Sequence, residues 1–331
     1  MKYLCIGSGS IGKRHIRNLM SIGVKAEDIS AMDPREDRRN EIINMGIRDV
    51  YSTLEEALET NDYYASIVCS PTDCHIRQGI DLASRGIHIL MEKPLADNLE
   101  GIEEFKAEIE KNNVVVLMAY IFRFSPLTEK VQEILNSGVI GKVLYVRGEF
   151  SEYLPDWHPY EDYRSFYMAE KKQGGGSILD QSHIMDLVHY LFGEFETVYA
   201  LNGNLSSLEV NSDDYSELTI GLKNGIIASV HTDMFGRDHK KEIEVKGEKG
   251  NIYWSPTNNF VTHYDAESKV KKLYNKFPTD FNLNYIKELS HFIACCEGRE
   301  APLATLQQGI ETMELILGAY KSVKTGAAVK V

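Results

Sequence analysis

Short apolar runs separated by helical periodicities set the rhythm of the first 120 residues. Runs over 3–6, 29–32, 49–51, 65–69, 87–91 and 114–119 read as strands, with helical spacing over 11–21, 35–45, 54–58, 73–84 and 99–110 between them. Strands alternating with helices predict a parallel sheet covered on both faces. The unbroken apolar character of 65–69 and 114–119 fits burial on both sides, and right-handed crossovers make the sheet doubly wound. After Phe124-Ser125-Pro126 the pattern changes. A helix is predicted over 127–136, ending near Gly138, followed by strands over 143–150, 197–205, 215–222, 226–234, 241–246 and 252–255. Asn224-Gly225 between two alternating runs is a hairpin signal, and Gly247-Glu248-Lys249-Gly250 makes a second turn. Consecutive hairpins predict a mostly antiparallel sheet. One amphipathic helix over 178–192, stopped by Gly193, and two closing helices over 283–296 and 306–321 complete the reading.

At 331 residues the chain has room for two domains, and the change of rhythm puts their boundary near 121–125. Apolar residues at 43% and charged residues at 26% are a globular balance that excludes disorder and low-complexity arrays. Asp plus Glu outnumber Lys plus Arg by 49 to 36, a net charge of −13 that argues against a nucleic-acid partner. No apolar run approaches the length of a bilayer span, and the stretch before Gly7 is too short for a signal peptide. Five cysteines without a C-x-x-C spacing signal neither a zinc site nor a disulfide framework, so a reducing cytoplasm is expected.

The first strand runs into Gly7-Ser8-Gly9-Ser10-Ile11-Gly12, followed by a helix. Gly7 permits the tight turn, Gly9 lacks the Cβ that would obstruct a pyrophosphate, and Gly12 lets helix and strand pack closely. The helix N-terminus offers its amides to phosphate. Strand two ends in Asp33, 21 residues after Gly12, where a carboxylate accepts ribose hydroxyls and disfavours a 2′-phosphate. Asp33 before Pro34 also suits a helix cap. NAD is the expected cofactor; Arg35, Arg38 and Arg39 nearby keep NADP open.

Strand five delivers Glu92-Lys93-Pro94 to the carboxyl edge of the sheet, where ligands of such sheets lie. Gly7-x-Gly9-x-x-Gly12-x-x-His15, Glu92-Lys93-Pro94 and Gly174-Gly175-Gly176-x-x-x-Asp180-x-x-His183-x-x-Asp186, in that order, closely resemble the glucose–fructose oxidoreductase/inositol dehydrogenase (Gfo/Idh/MocA) family over essentially the whole chain. The resemblance implies an α/β protein with a dinucleotide-binding Rossmann domain over 1–122. A C-terminal α/β domain over 123–331 would bind substrate and, through an open sheet, build a homodimer or homotetramer. It further implies that Lys93 touches both nicotinamide ribose and substrate, that Glu92, Ser70, Pro71, Thr72 and His75 line the cofactor with Ser10 and Ile11, and that Arg123 faces the active site. Two residues, Gln181 and Ser182, separate Asp180 from His183 where many members have three; a subgroup with the shorter spacing carries a segment like Leu154-Pro155-Asp156-Trp157-His158-Pro159.

Oxidising a secondary alcohol requires a base for the hydroxyl proton and a positive group for the developing oxygen charge. His183 suits the first task and Lys93 the second, with Asp180 as orienter or substrate ligand. Helical spacing would put Asp180, His183 and Asp186 on one stripe, which leaves the division of labour between the aspartates open. His183 and His189, six residues apart, point about 120° from each other and do not share a metal ion. Trp157, Tyr163 and Arg164 lie in an aromatic stretch that suits a sugar site or an ordinary lid loop, and the triple glycine is either a close approach or a hinge. The expected activity is hydride transfer between a nicotinamide cofactor and the CH–OH group of a sugar, cyclitol or sugar derivative. A glycoside-cleaving relative using transient oxidation and a non-catalytic dinucleotide sensor are the alternatives.

Overall fold

A computed structural model describes residues 1–157 and 161–331; His158, Pro159 and Tyr160, part of the expected aromatic stretch, lie outside the described residues. The chain divides into two compact units, Met1–Ile121 with Asn282–Leu306, and Phe122–Phe281 with Gln307–Val331.

The first unit alternates strand and helix: β1 (Tyr3–Ile6), α1 (Ser10–Ser21), β2 (Ile29–Met32), α2 (Glu36–Asn44), β3 (Asp49–Tyr51), α3 (Leu54–Thr60), β4 (Ala65–Val68), α4 (His75–Ala83), β5 (His88–Met91), α5 (Ile102–Asn112) and β6 (Val116–Met118). All six strands are parallel, in the order β3-β2-β1-β4-β5-β6. This is the doubly wound arrangement, with the order reversing between β1 and β4. Leu4, Ile6, Ile67 and Leu90 are wholly buried, each adding about 1.5–3 kcal/mol of hydrophobic stabilisation. Thr53 starts α3 by accepting the Glu56 amide on Oγ1 at 3.2 Å, while the Glu56 carboxylate reaches back to the Ser52 amide at 3.2 Å.

The second unit opens with α6 (Pro126–Asn136), capped by Ser125 with Pro126 in the first turn. It continues through β7 (Val143–Tyr153), α7 (Ser177–Asp180), α8 (His183–Phe192), β8 (Phe195–Gly203), β9 (Tyr215–Leu222), β10 (Ile227–Asp233), β11 (Phe235–Gly247), β12 (Gly250–Ser255), β13 (Phe260–Asp265) and β14 (Val270–Tyr274). The elements α9 (Asn282–Cys296), α10 (Leu306–Thr325) and β15 (Val329–Lys330) end the chain. The sheet has nine strands in the order β14-β13-β12-β11-β7-β10-β9-β8-β15. Its pairings are antiparallel except β7 with β10. The Asn224-Gly225 turn joins β9 and β10 as expected, with Leu222 donating to the Ile226 carbonyl at 2.9 Å. Helix α8 covers one sheet face: a Cβ at Gly148 of β7 would stand 2.8 Å from Ile184.

Three features depart from the sequence reading. The helix expected over 178–192 is two helices, because Ser182 and Ile184 donate to the carbonyls three residues back and overwind the turn between them. β13 and β14 extend the sheet beyond the predicted strands. Helix α9, which follows the second unit in sequence, packs on α1 within the first unit. No helix among the described residues is long and apolar enough to cross a membrane.

Candidate active site

In the first unit the glycine loop has the geometry its spacing promised. Gly7 has φ +86°, and a Cβ on Gly12 would stand 1.9 Å from the Gly7 carbonyl oxygen, so helix and loop meet only because Gly12 has no side chain. A Cβ on Gly9 would meet nothing nearer than Arg38 Nη1 at 3.7 Å. No side chain caps the start of α1, and no acidic residue occupies its first turn, so the amides there stay available to an anion. The open space at Gly9 and these amides fit a dinucleotide pyrophosphate.

Asp33 is buried and serves the loop: Oδ2 accepts the Ser8 amide at 2.7 Å and Oδ1 accepts the Arg35 amide at 2.9 Å. The second contact is an Asx turn rather than a helix cap. Each oxygen keeps a lone pair able to accept a ribose hydroxyl. Arg35, expected at the cofactor, turns its guanidinium to Asp37, 2.5 Å from Oδ2, and that pairing holds the Asp37 carboxyl down to about 2. The guanidinium beside Asp33 belongs to Arg38, whose Nη1 is 3.6 Å from Asp33 Oδ2.

The loop after β4 is held from inside. Ser70 Oγ donates to Gln78 Oε1 at 2.6 Å, and Thr72 is buried at the start of a tight turn after Pro71. His75, expected to line the cofactor, is buried with Nδ1 at 3.0 Å from the Pro94 carbonyl and Nε2 at 2.9 Å from the Ser70 carbonyl. The neutral ring carries one N–H, so the nitrogen that holds it ties one of these two backbone carbonyls. Burial pulls its pKa down, and the two carbonyls oppose that. Lys93 is half-buried at the end of β5, ahead of a cis bond to Pro94. Glu92 Oε2 accepts the Lys93 amide at 3.2 Å, and Glu92 Oε1 lies 3.1 Å from His15 Nε2. With Cys69 these two residues bring donor atoms within 4.8 Å of one another. Burial above all pushes the Cys69 thiol well above its ordinary range, and His15 and Glu92 lie within hydrogen-bond distance of each other.

In the second unit His183 begins α8, with its ring against two phenyl groups. Phe122 stands edge-on at 5.2 Å between centroids, and Phe150 is stacked at 6.4 Å. Asp180 ends α7, buried, and accepts the Tyr167 hydroxyl. Backbone contacts fix this corner: the Ser177 hydroxyl and the Ile178 amide both donate to Asp213 Oδ2, at 2.9 and 3.1 Å. A Cβ on Gly176 would come 2.5 Å from Asp213 Oδ1, and Gly176 has φ +130°, so the triple glycine is a close approach to the chain's own acid. Tyr167 and Asp213 are the site-building residues that the motifs did not single out. Gln181 Nε2 donates to the Asp233 carbonyl at 2.7 Å, pinning the overwound turn that separates Asp180 from His183.

Arg123, Trp157, Tyr163 and Arg164, also expected at the substrate, each have neighbours within the chain. Arg123 is buried and forks onto Asp186, with a further bond from Nη1 to Gln308 Oε1 at 2.7 Å. Its guanidinium stacks 4.7 Å over Tyr190. Asp186 is thereby assigned to Arg123. Burial pushes the Asp186 carboxyl up, and the guanidinium draws it back. His189 Nε2 lies 2.9 Å from Glu311 Oε2. Trp157 and Tyr163 pack on a small apolar cluster of Leu154, Phe166, Met168 and Met234. Arg164 is exposed but paired with Asp162 at 2.7 Å and Glu209 at 2.5 Å.

Residues 1–120 match the family model described as oxidoreductase family, NAD-binding Rossmann fold, and residues 132–331 match that of the oxidoreductase family C-terminal alpha/beta domain. Myo-inositol 2-dehydrogenase of Thermotoga maritima is 29% identical, with 100% of this chain and 98% of that protein covered. Scyllo-inositol 2-dehydrogenase (NAD(+)) of Bacillus subtilis is 26% identical, over 98% of this chain and 94% of that protein. The WlbA dehydrogenase of Bordetella pertussis, solved with NADH and UDP-GlcNAcA, shares the fold with a TM-score of 0.83 at 21% identity, over 100% and 98% of the two chains. With a glycine loop built for a dinucleotide and family matches to both parts of the sequence, the chain belongs to the Gfo/Idh/MocA family of oxidoreductases, its first domain the NAD-binding Rossmann fold.

Proposed function

We propose that the protein transfers a hydride between NAD and the CH–OH carbon of a sugar, cyclitol or sugar derivative. The observation that carries this reading is the uncapped α1 terminus above an open Gly9, in a chain whose full-length relatives include two inositol dehydrogenases. When bound, the nicotinamide supplies the hydride acceptor. His183 takes the hydroxyl proton, its imidazole held edge-on by Phe122 and stacked by Phe150. Lys93 supplies positive charge to the developing oxygen. Asp180, oriented by the Tyr167 hydroxyl, holds a substrate hydroxyl. Arg123 acts at one remove, fixing α8 through Asp186. Asp33 favours NAD, and Arg38 rather than Arg35 is the cation placed to meet a 2′-phosphate.

The protein is further proposed to be a cytoplasmic homodimer or homotetramer. Tyr199, Leu201, Ile227 and Leu273 are 42–55% exposed on the sheet face opposite α8, as the strand register places them, and a second copy would cover them. The five cysteines are free thiols, suited to a reducing compartment. The test is NADH formation across a panel of polyols, aldoses and nucleotide sugars, with light scattering for the oligomer. Lys93→Ala and His183→Ala are each expected to lose at least about a hundredfold in kcat; wild-type rates in both refute the assignment.

A further inference from the structure

We propose that Glu92 is a positioning residue whose carboxylate ties the main chain at Lys93 to the helix that begins at the phosphate loop. The proposal rests on the reading of Lys93 as the electrophile.

The geometry is a two-armed brace. Oε2 accepts the amide of Lys93 at 3.2 Å, and Oε1 lies 3.1 Å from His15 Nε2 on α1. His15 is wholly buried, and its Nδ1 has no hydrogen-bond partner among the described residues. Its ring is held edge-on by Tyr285 at 5.9 Å, and Arg14 stacks 4.6 Å over that tyrosine. The ring nitrogen that meets Glu92 is therefore committed to it by packing. The Glu92 amide itself donates to the Val68 carbonyl at 3.0 Å, so the backbone of this residue is locked in the sheet while its side chain reaches both ways.

A second acid nearby sharpens the assignment. Glu288 of α9 is fully buried, and neither carboxyl oxygen has a partner among the described residues. Burial, and then the charge of Glu92, pushes its carboxyl well above the ordinary range. Glu92 has donors on both oxygens and Glu288 has none, which makes Glu92 the brace of the pair. His15 and Arg14 on α1, Glu92 and Lys93 at the end of β5, and Tyr285 and Glu288 on α9 all lie within the first unit. The brace joins the two tasks proposed for that unit, holding the dinucleotide phosphates and presenting the ammonium. A displacement of about 1 Å at a reacting group costs up to about a hundredfold in rate, so removing the brace acts on turnover more than on cofactor binding.

The experiment compares Glu92→Ala, Glu92→Gln and Lys93→Ala in the full chain. It measures kcat and KM on the panel substrate turned over fastest, and NADH Kd by fluorescence titration. Glu92→Ala is expected to lower kcat about 10- to 100-fold while NADH Kd changes less than about threefold. Glu92→Gln keeps an acceptor oxygen for the Lys93 amide and is expected to recover part of the loss. His15→Leu, which removes only the far arm, is expected to lower kcat in the same direction with NADH Kd retained, and serves where Glu92→Ala does not fold. Wild-type kcat in Glu92→Ala beside an inactive Lys93→Ala overturns the brace alone. A parallel loss of NADH affinity and kcat in both Glu92 variants also overturns it, since that marks a merely structural acid. Full activity in Lys93→Ala overturns the brace together with the proposed role of Lys93.

Discussion

Arg123 and Asp186, 63 residues apart in sequence, meet through two parallel hydrogen bonds, Nε to Oδ2 at 2.9 Å and Nη2 to Oδ1 at 2.6 Å. Both side chains are essentially excluded from water. Breaking such a pair strands a buried charge, which costs about 3–5 kcal/mol, whereas replacing both partners by apolar groups is often neutral. Arg123→Met is therefore expected to lower the urea unfolding free energy by about that amount, and Arg123→Met/Asp186→Leu to recover most of it. A single variant as stable as the parent would show that the pair is not buried in solution.

The two glycines of the loop fail differently when given a methyl group. In Gly12→Ala the new Cβ collides with the Gly7 carbonyl oxygen at 1.9 Å, a distortion worth about 1–3 kcal/mol, so thermal stability falls without any ligand. In Gly9→Ala the methyl enters open space, with Arg38 Nη1 at 3.7 Å as its nearest neighbour. The melting temperature should hold while NADH binding weakens by roughly tenfold or more. Differential scanning fluorimetry with and without NADH separates the two.

Cofactor choice turns on which arginine faces Asp33. Arg38 stands 3.6 Å from its Oδ2, whereas Arg35 is paired with Asp37. Arg38→Ala is expected to weaken 2′-AMP binding by about tenfold or more, the worth of a charged hydrogen bond, with 5′-AMP little changed. Arg35→Ala should alter neither, and calorimetric titration of the two nucleotides decides it.

On β10, His231 lies between Glu217 at 2.9 Å and Asp233 at 2.8 Å. The hydrogen bonds that its ring donates to Asp233 and then Glu217 push its pKa up to about 9, against an unfolded value near 6.5. A raised folded pKa means the stabilisation is complete below about pH 6.5 and is lost as pH rises through about 9. Unfolding free energy should therefore drop by about 1–2 kcal/mol between these limits, the figure allowing for solvent screening. His231→Gln should flatten that slope.

Much of this protein is written locally. Strand–helix alternation, the Gly7–Gly12 turn and the Asn224-Gly225 hairpin were legible because each depends on residues a few positions apart. β14 was not, since Val270-Lys271-Lys272-Leu273-Tyr274 is an almost wholly exposed edge strand, and an edge carrying lysines shows no buried alternation. The motifs also named Lys93, Asp180 and His183 without revealing what surrounds them.

Only the tertiary structure decided the partners. It gave Asp186 to Arg123, Asp180 to Tyr167, the His75 ring a place between the Ser70 and Pro94 carbonyls, and Arg164 to two acids. It broke the 178–192 helix at an overwound turn pinned by the Asp233 carbonyl, 52 residues on, and placed α9 beside α1 from the other end of the chain. Periodicity records which face of an element is apolar. The distant side chain that satisfies a buried charge or hydrogen-bond donor depends instead on how those faces pack, and no short stretch of sequence contains that information.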